Sequence, residues 1–190
     1  MTSDRTLESQ LIWRNLIRGG KEHFRLWRAT DRWIFQGTVT DSVEDGRPLL
    51  VEYELVCDLQ WRTITVVIHQ VLASEPRDIA LQSDGEGSWK MNGKSAFALP
   101  GCLDIDLSIT PATNTLPIRR LDLAVGKSER VVAAWLRFPE LILEPLWQTY
   151  TRVEEFRYRY ESDTGFSTEI EVDGSGLIAS YPPAWVRRDL

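Results

Sequence analysis

The sequence predicts a mainly β protein: many short strands in an antiparallel sheet that must curl or close to protect its edges. Three observations carry this. Apolar residues recur with period two rather than 3.6 over most of the chain. Turn-forming stretches such as SDGEG, MNGK, SDTG and DGSG separate those runs at short intervals. No composition break, linker or internal repeat divides residues 1–190, so they read as a single domain.

The elements follow in order. Residues 3–18 admit one or two helical turns, although Trp13 to Ile17 reads equally well as strand. WRATDRWIFQGTVT, residues 27–40, alternates in the β manner. In LVEYELVCD, residues 50–58, Val51, Tyr53, Leu55 and Cys57 share one face, and Glu52, Glu54 and Asp58 the other. RTITVVIHQ sets Ile64, Val66 and Ile68 against Thr63, Thr65, Val67 and His69, and the short link through Leu59 and Gln60 makes a hairpin or bend. RDIALQS, residues 77–83, alternates again. Asn92-Gly93 is a type I′ hairpin signal, because both residues tolerate positive φ. Thr110-Pro111 reads as an N-cap with proline at the first helical position, and Pro117 limits that helix to a short one. Phe156, Tyr158 and Tyr160 oppose Arg157, Arg159 and Glu161; after SDTG, Phe166, Thr168, Ile170 and Val172 oppose Ser167, Glu169 and Glu171. LIASY is a last strand, stopped by Pro-Pro. Clean alternation with short turns means antiparallel pairing.

Composition narrows the function. The chain is 43% hydrophobic and 26% charged, ordinary for a soluble globular protein. A net charge of −6, with arginines dispersed, argues against nucleic acid, which needs a phosphate-neutralising surface. Cys57 and Cys102 fall inside predicted strands and read as buried free thiols of a reducing compartment. No cysteine–histidine metal spacing, nucleophile elbow, phosphate loop or dinucleotide fingerprint occurs, so no metal or cofactor is expected. His23 and His69 read as structural. No secretory apolar region and no stretch of about 20 apolar residues is present, so a cytoplasmic protein without a transmembrane helix is expected.

The polar chemistry gathers in GCLDIDLSITPATNTLPIRRL, residues 101–121. Asp104 and Asp106 share a strand face, about 7 Å apart along the backbone. Three readings fit: solvent-facing charges, acceptors for sugar hydroxyls, or chemistry by an acid–base or metal-binding pair of carboxylates. Arg119 and Arg120 are adjacent, so in an extended chain at most one meets the aspartates, as a planar clamp that also suits phosphate or sugar. Asn114 and the nearby threonines cap a turn or bind hydroxyls. Asp58, Trp61 and Arg62 form a second polar-aromatic group, either a core tryptophan at a strand end or a platform for a sugar ring.

That segment resembles the signature of the bacterial putative glycolipid-binding family, formerly a domain of unknown function. EHFRL, GTV, CDLQWRT, the DGEGSW turn, QTYTR, RYRYES and EIEVDGSGLIASYP match in order, over roughly Trp13 to Val186. Ala112 stands where a family member can carry an aromatic. The resemblance implies a large curled antiparallel sheet, half-barrel-like and wrapped around a single short helix, similar to bacterial lipoprotein carriers. It also implies a homodimer and an acidic ligand pocket. Asp104, Asp106 and, less directly, Asp58 are the acidic candidates, with Asn114, Arg119 and Arg120 in the same signature.

The reading is therefore a binding protein of bacterial glycolipid or cell-envelope metabolism, taking a glycolipid or another sugar-containing small molecule. An apolar cavity inside the sheet would hold an acyl or aromatic part, the aspartates the sugar hydroxyls, and Trp61 the ring. Two alternatives stand beside it: an enzyme acting on a glycoconjugate through paired aspartates, and a structural or regulatory homodimer. Because the resembling carriers work outside the cytoplasm, either the ligand is a cytoplasmic glycolipid precursor or the lipid half of the name does not apply.

Overall fold

The computed structural model describes residues 5–96, 99 and 101–188. Fifteen strands make one sheet: β1 (Arg5–Asn15), β2 (Lys21–Ala29), β3 (Arg32–Ser42), β4 (Pro48–Asp58), β5 (Thr63–Leu72), β6 (Glu75–Ser83), β7 (Trp89–Met91), β8 (Lys94–Ser95), β9 (Asp104–Leu107), β10 (Ser128–Arg137), β11 (Ile142–Glu154), β12 (Arg157–Ser162), β13 (Ser167–Val172), β14 (Ile178–Tyr181) and β15 (Trp185–Arg188). One helix, α1 (Thr115–Leu121), follows a 3-10 turn at Ala112–Asn114.

The strand order is β8 through β1, then β15 back to β9, so the first and last strands pair in the middle. Every pairing is antiparallel except β9 with β10. This order forces the curl. Fourteen interstrand gaps of about 4.8 Å would hold the edges of a flat sheet roughly 67 Å apart. The nine steps from Ser95 to Asp104 reach no more than roughly 32 Å. The second half therefore bends back over the first. Ile105 N donates to Thr63 Oγ1 at 3.1 Å, and Gln70 Nε2 to the Pro139 carbonyl at 2.9 Å. The sheet wraps β9 and α1 without closing into a barrel.

The alternation of β4 holds: Val51, Tyr53, Leu55 and Cys57 are buried. Asn92 and Gly93 both take positive φ, +49° and +77°, in the two-residue turn between β7 and β8. Several elements differ from expectation. The N-terminal segment is strand throughout Arg5–Asn15. Thr63 faces inward with Val66, because a register shift between Val56 and Cys57 inserts a bulge and flips the parity. Pro117 lies inside α1 rather than ending it: at the third helical position its missing N–H takes no partner from α1. Pro182-Pro183 ends β14 but only turns the chain into β15.

An aromatic row runs through the core. Trp13, Phe24, Phe35 and Trp61 pack in sequence, with ring centroids 4.9, 5.5 and 6.2 Å apart. Leu99, Ile105, Leu107, Leu116 and Ile118 from the central segment complete that core. Cys57 and Cys102 are buried free thiols. No described helix is long and apolar enough to cross a membrane.

Candidate functional site

β9 pairs with β10 at the sheet edge and has both faces covered. Asp104 is therefore not a solvent-facing charge, while Asp106 is partly exposed. Asp104 is 1% exposed, and Arg120 grips it with two hydrogen bonds, Nε to Oδ1 at 3.0 Å and Nη2 to Oδ2 at 2.5 Å. Arg120 sits in the last turn of α1, which aims it at β9 while Arg119 points away and is exposed. Burial raises the Asp104 pKa above the usual carboxylate range, and Arg120 pulls against that rise.

Asp106 has a different environment. Gln148 Nε2 on β11 donates to its Oδ2 at 2.5 Å. Tyr150 Oη donates to Asn114 Oδ1 at 2.8 Å and lies 3.3 Å from Gln148 Oε1. Asn114 Nδ2 closes the chain on the Pro111 carbonyl at 3.2 Å. Burial pushes Asp106 up to about 6, with the Gln148 hydrogen bond opposing. Beside it opens a cavity of 240 Å³, lined by Asp106, Thr110, Asn114, Ser162 and Thr164 together with Trp135, Tyr160, Phe166, Tyr181 and Trp185. Tyr160, Phe166 and Tyr181 form a three-ring wall, with centroids 5.9 to 6.1 Å apart and Phe166 stacked on Tyr181. Burial, reinforced by the Asp106 charge, holds the Tyr160 and Tyr181 phenols protonated.

A third polar group anchors the Thr-Pro turn. Glu22 is fully buried and accepts a hydroxyl on each oxygen, from Tyr53 and from Thr110, both at 2.6 Å. Burial raises its pKa from 4.5 to about 7. Thr110 Oγ1 in turn accepts the Ala112 N–H at 3.0 Å. Glu22 thereby fixes the turn that delivers Asn114 to the cavity. Gly37 leaves the room: a Cβ there would stand 2.2 Å from the Tyr53 ring and 2.6 Å from Glu22 Oε1.

The eight candidate residues therefore divide. Asp106 and Asn114 line the cavity, and Asp104 with Arg120 braces the strand and helix behind it. Asp58, Trp61 and Arg62 build the β4–β5 turn instead. Asp58 Oδ1 accepts from the backbone N–H of Gln60 and Arg62, and Arg62 Nε pairs with Oδ2 at 2.8 Å. Trp61 is core rather than a sugar platform: it is 6% exposed, stacks on Trp33 at 4.6 Å and lies under the Arg119 guanidinium. Arg119 also edges a separate 140 Å³ hollow with Asp122, Arg152 and Tyr158. Larger clefts of 560 and 750 Å³ touch none of the eight. Among the described residues, no group of three or more His, Cys, Asp and Glu is placed to hold a metal.

Sequence reasoning passed over Glu22 and Gln148, placed Tyr160 on a strand face and gave Tyr150 and Tyr181 no role. One signal existed for Glu22: it shares strand parity with Phe24 and Leu26, so a carboxylate was bound for the interior.

Residues 10–187 match the family described as "Putative glycolipid-binding". The chain belongs to that family. Among solved structures, a DUF1089-family protein from Pseudomonas aeruginosa is similar, with 32% identity and a TM-score of 0.82 over 89% of this chain and 92% of that one. No curated protein matches. The glycolipid-binding match runs from β1 into β15 and takes in every residue of the Asp106 cavity.

Proposed function

We propose that this protein binds the sugar-bearing headgroup of a glycolipid in the cavity beside Asp106. One observation carries the reading: Asp106 lines a cavity together with five aromatic residues and the hydroxyl side chains Ser108, Thr110, Ser162 and Thr164. Sugars are held in this way, with the apolar ring face against an aromatic side chain and the hydroxyls on fixed polar groups. At 240 Å³ the cavity is smaller than the roughly 300–1,000 Å³ of drug-sized ligand sites. It suits a headgroup, and the acyl part stays outside. The family description supports the glycolipid class. Binding is favoured over paired-aspartate catalysis because Asp104 does not line the cavity and both its oxygens are committed to Arg120.

The test is native mass spectrometry of gently purified protein, followed by solvent extraction and lipid analysis. A glycolipid at near one-to-one occupancy, lost in Asp106→Asn, is the expected result. Protein that carries no lipid and shows no affinity for added glycolipid overturns the reading. The homodimer and the cytoplasmic location remain part of this proposal, and sedimentation and cell fractionation read them directly.

A further inference from the structure

We infer that the headgroup taken by the Asp106 cavity carries a protonated amine, as an amino sugar does. This rests on the sugar-pocket reading and narrows it.

The argument starts from unbalanced charge. A carboxylate withdrawn from water needs a counter-charge or a full set of donors. Asp104 has Arg120. Among the described residues, Asp106, two residues on in the same strand, has only an amide, Gln148 Nε2, on one oxygen. The other groups facing it are the phenols of Tyr150 from β11, Tyr160 from β12 and Tyr181 from β14, all held protonated by burial. Among the described residues, no Lys, Arg or His lines the cavity. The nearby Arg120 is already spent on Asp104. Even with its pKa raised to about 6, Asp106 is mostly ionised at neutral pH.

Ligand classes can then be sorted. Phosphate or carboxylate headgroups meet an uncompensated anion and are repelled. A neutral sugar supplies hydroxyl donors but leaves the charge unpaired. An ammonium supplies charge and donors together, and such charge-assisted bonds are about twice as strong as neutral ones. The walls agree, because aromatic faces attract cations within about 6 Å, and Tyr160, Phe166 and Tyr181 cluster at the cavity.

The experiment is calorimetric titration of the full chain at pH 7.5 with glucosamine, glucose and N-acetylglucosamine, then with an alkyl glucosaminide. Glucosamine is expected to bind at least tenfold tighter than the two neutral sugars. Asp106→Asn should bring all three within about twofold. The wild-type comparison needs no variant, so a folding defect in Asp106→Asn cannot mask the answer. The glucosamine preference should also fade as pH falls through about 6, where Asp106 takes a proton. Equal binding of glucose and glucosamine overturns the amine and leaves the sugar pocket standing. No binding of any sugar or glycoside overturns both. A much tighter alkyl glucosaminide supports the amine with a lipid as its source, and equal affinity supports it with the free sugar.

Discussion

Replacing Glu22 with glutamine should make the protein more stable at neutral pH and leave it little changed in acid. Glu22 is fully buried, with each carboxyl oxygen facing a hydroxyl 2.6 Å away. Glutamine has nearly the same shape. Its carbonyl accepts from one hydroxyl and its amide donates to the other, whose own proton can turn to the first hydroxyl 3.5 Å away. The variant removes only the charge. The Glu22 carboxyl ordinarily titrates at 4.5 and here at about 7, so the folded state binds that proton more tightly than the unfolded state does. Stability therefore falls as pH rises from about 4.5 to about 7 and is level beyond. At 1.36 kcal/mol per pH unit the loss is about 3 kcal/mol.

Asp104 and Asp106 also titrate upward, so the quantity to read is the difference between variant and wild type, in which their contributions cancel. Urea unfolding followed by tryptophan emission at pH 5, 6, 7 and 8 supplies it. The difference should lie within about 1 kcal/mol of zero at pH 5 and move in favour of Glu22→Gln by up to about 3 kcal/mol by pH 8. For a chain of this size that corresponds to roughly 6–12 °C in Tm. A difference flat in pH refutes the reasoning. A wild-type advantage that grows with pH refutes it more strongly, because the two hydroxyls would then stabilise the carboxylate by more than burial costs it.

Asp104→Asn leaves the partly buried Arg120 guanidinium without its counter-charge, and should cost about 2–3 kcal/mol in the same unfolding assay, below the range for a fully buried pair because solvent reaches the arginine. The double variant Asp104→Leu/Arg120→Met should recover most of that loss. Gly37→Ala drives a methyl into the Tyr53 ring and should cost about 1–3 kcal/mol, seen as a Tm several degrees lower. Asp106→Asn removes a carboxyl that burial holds near 6, so by calorimetry it should melt higher than wild type at pH 7.5, with the advantage vanishing towards pH 4.

Much of the sheet was legible because period two survives wherever one face is buried. Val51 to Cys57 and Tyr158 to Tyr160 are direct cases. The Asn92-Gly93 turn was legible because its chemistry is local. Long-range geometry was not. The bulge that turns Thr63 inward depends on how β4 and β5 register, which alternation within either strand does not record. The burial of Glu22 and Gln148 depends on hydroxyl and carboxylate partners up to 88 residues away. The spacing of Asp104 and Asp106 was readable, and so was the rule that one arginine at most would meet them. Arg120 is selected by helical rotation about α1 rather than by extended-chain alternation. Trp61 read as a platform because its neighbours are polar, yet those neighbours close a turn and its ring serves the core.

Linkage sets the scale of the ammonium preference. An ammonium that pairs with Asp106 recovers the penalty burial imposes on that carboxylate. Returning the pKa from about 6 to its ordinary 3.8 is worth about 3 kcal/mol, a factor on the order of 100 in affinity. Asp106 is partly exposed, so solvent softens that penalty and lowers the figure. The preference for glucosamine over glucose should therefore fall between about 10-fold and 100-fold. The described lining contains no carboxylate besides Asp106, so that one group sets the preference. The wild-type fold neutralises one buried aspartate with an arginine sixteen residues along the chain and leaves its neighbour to a neutral amide. The size of that ratio measures how much of the missing charge the ligand supplies.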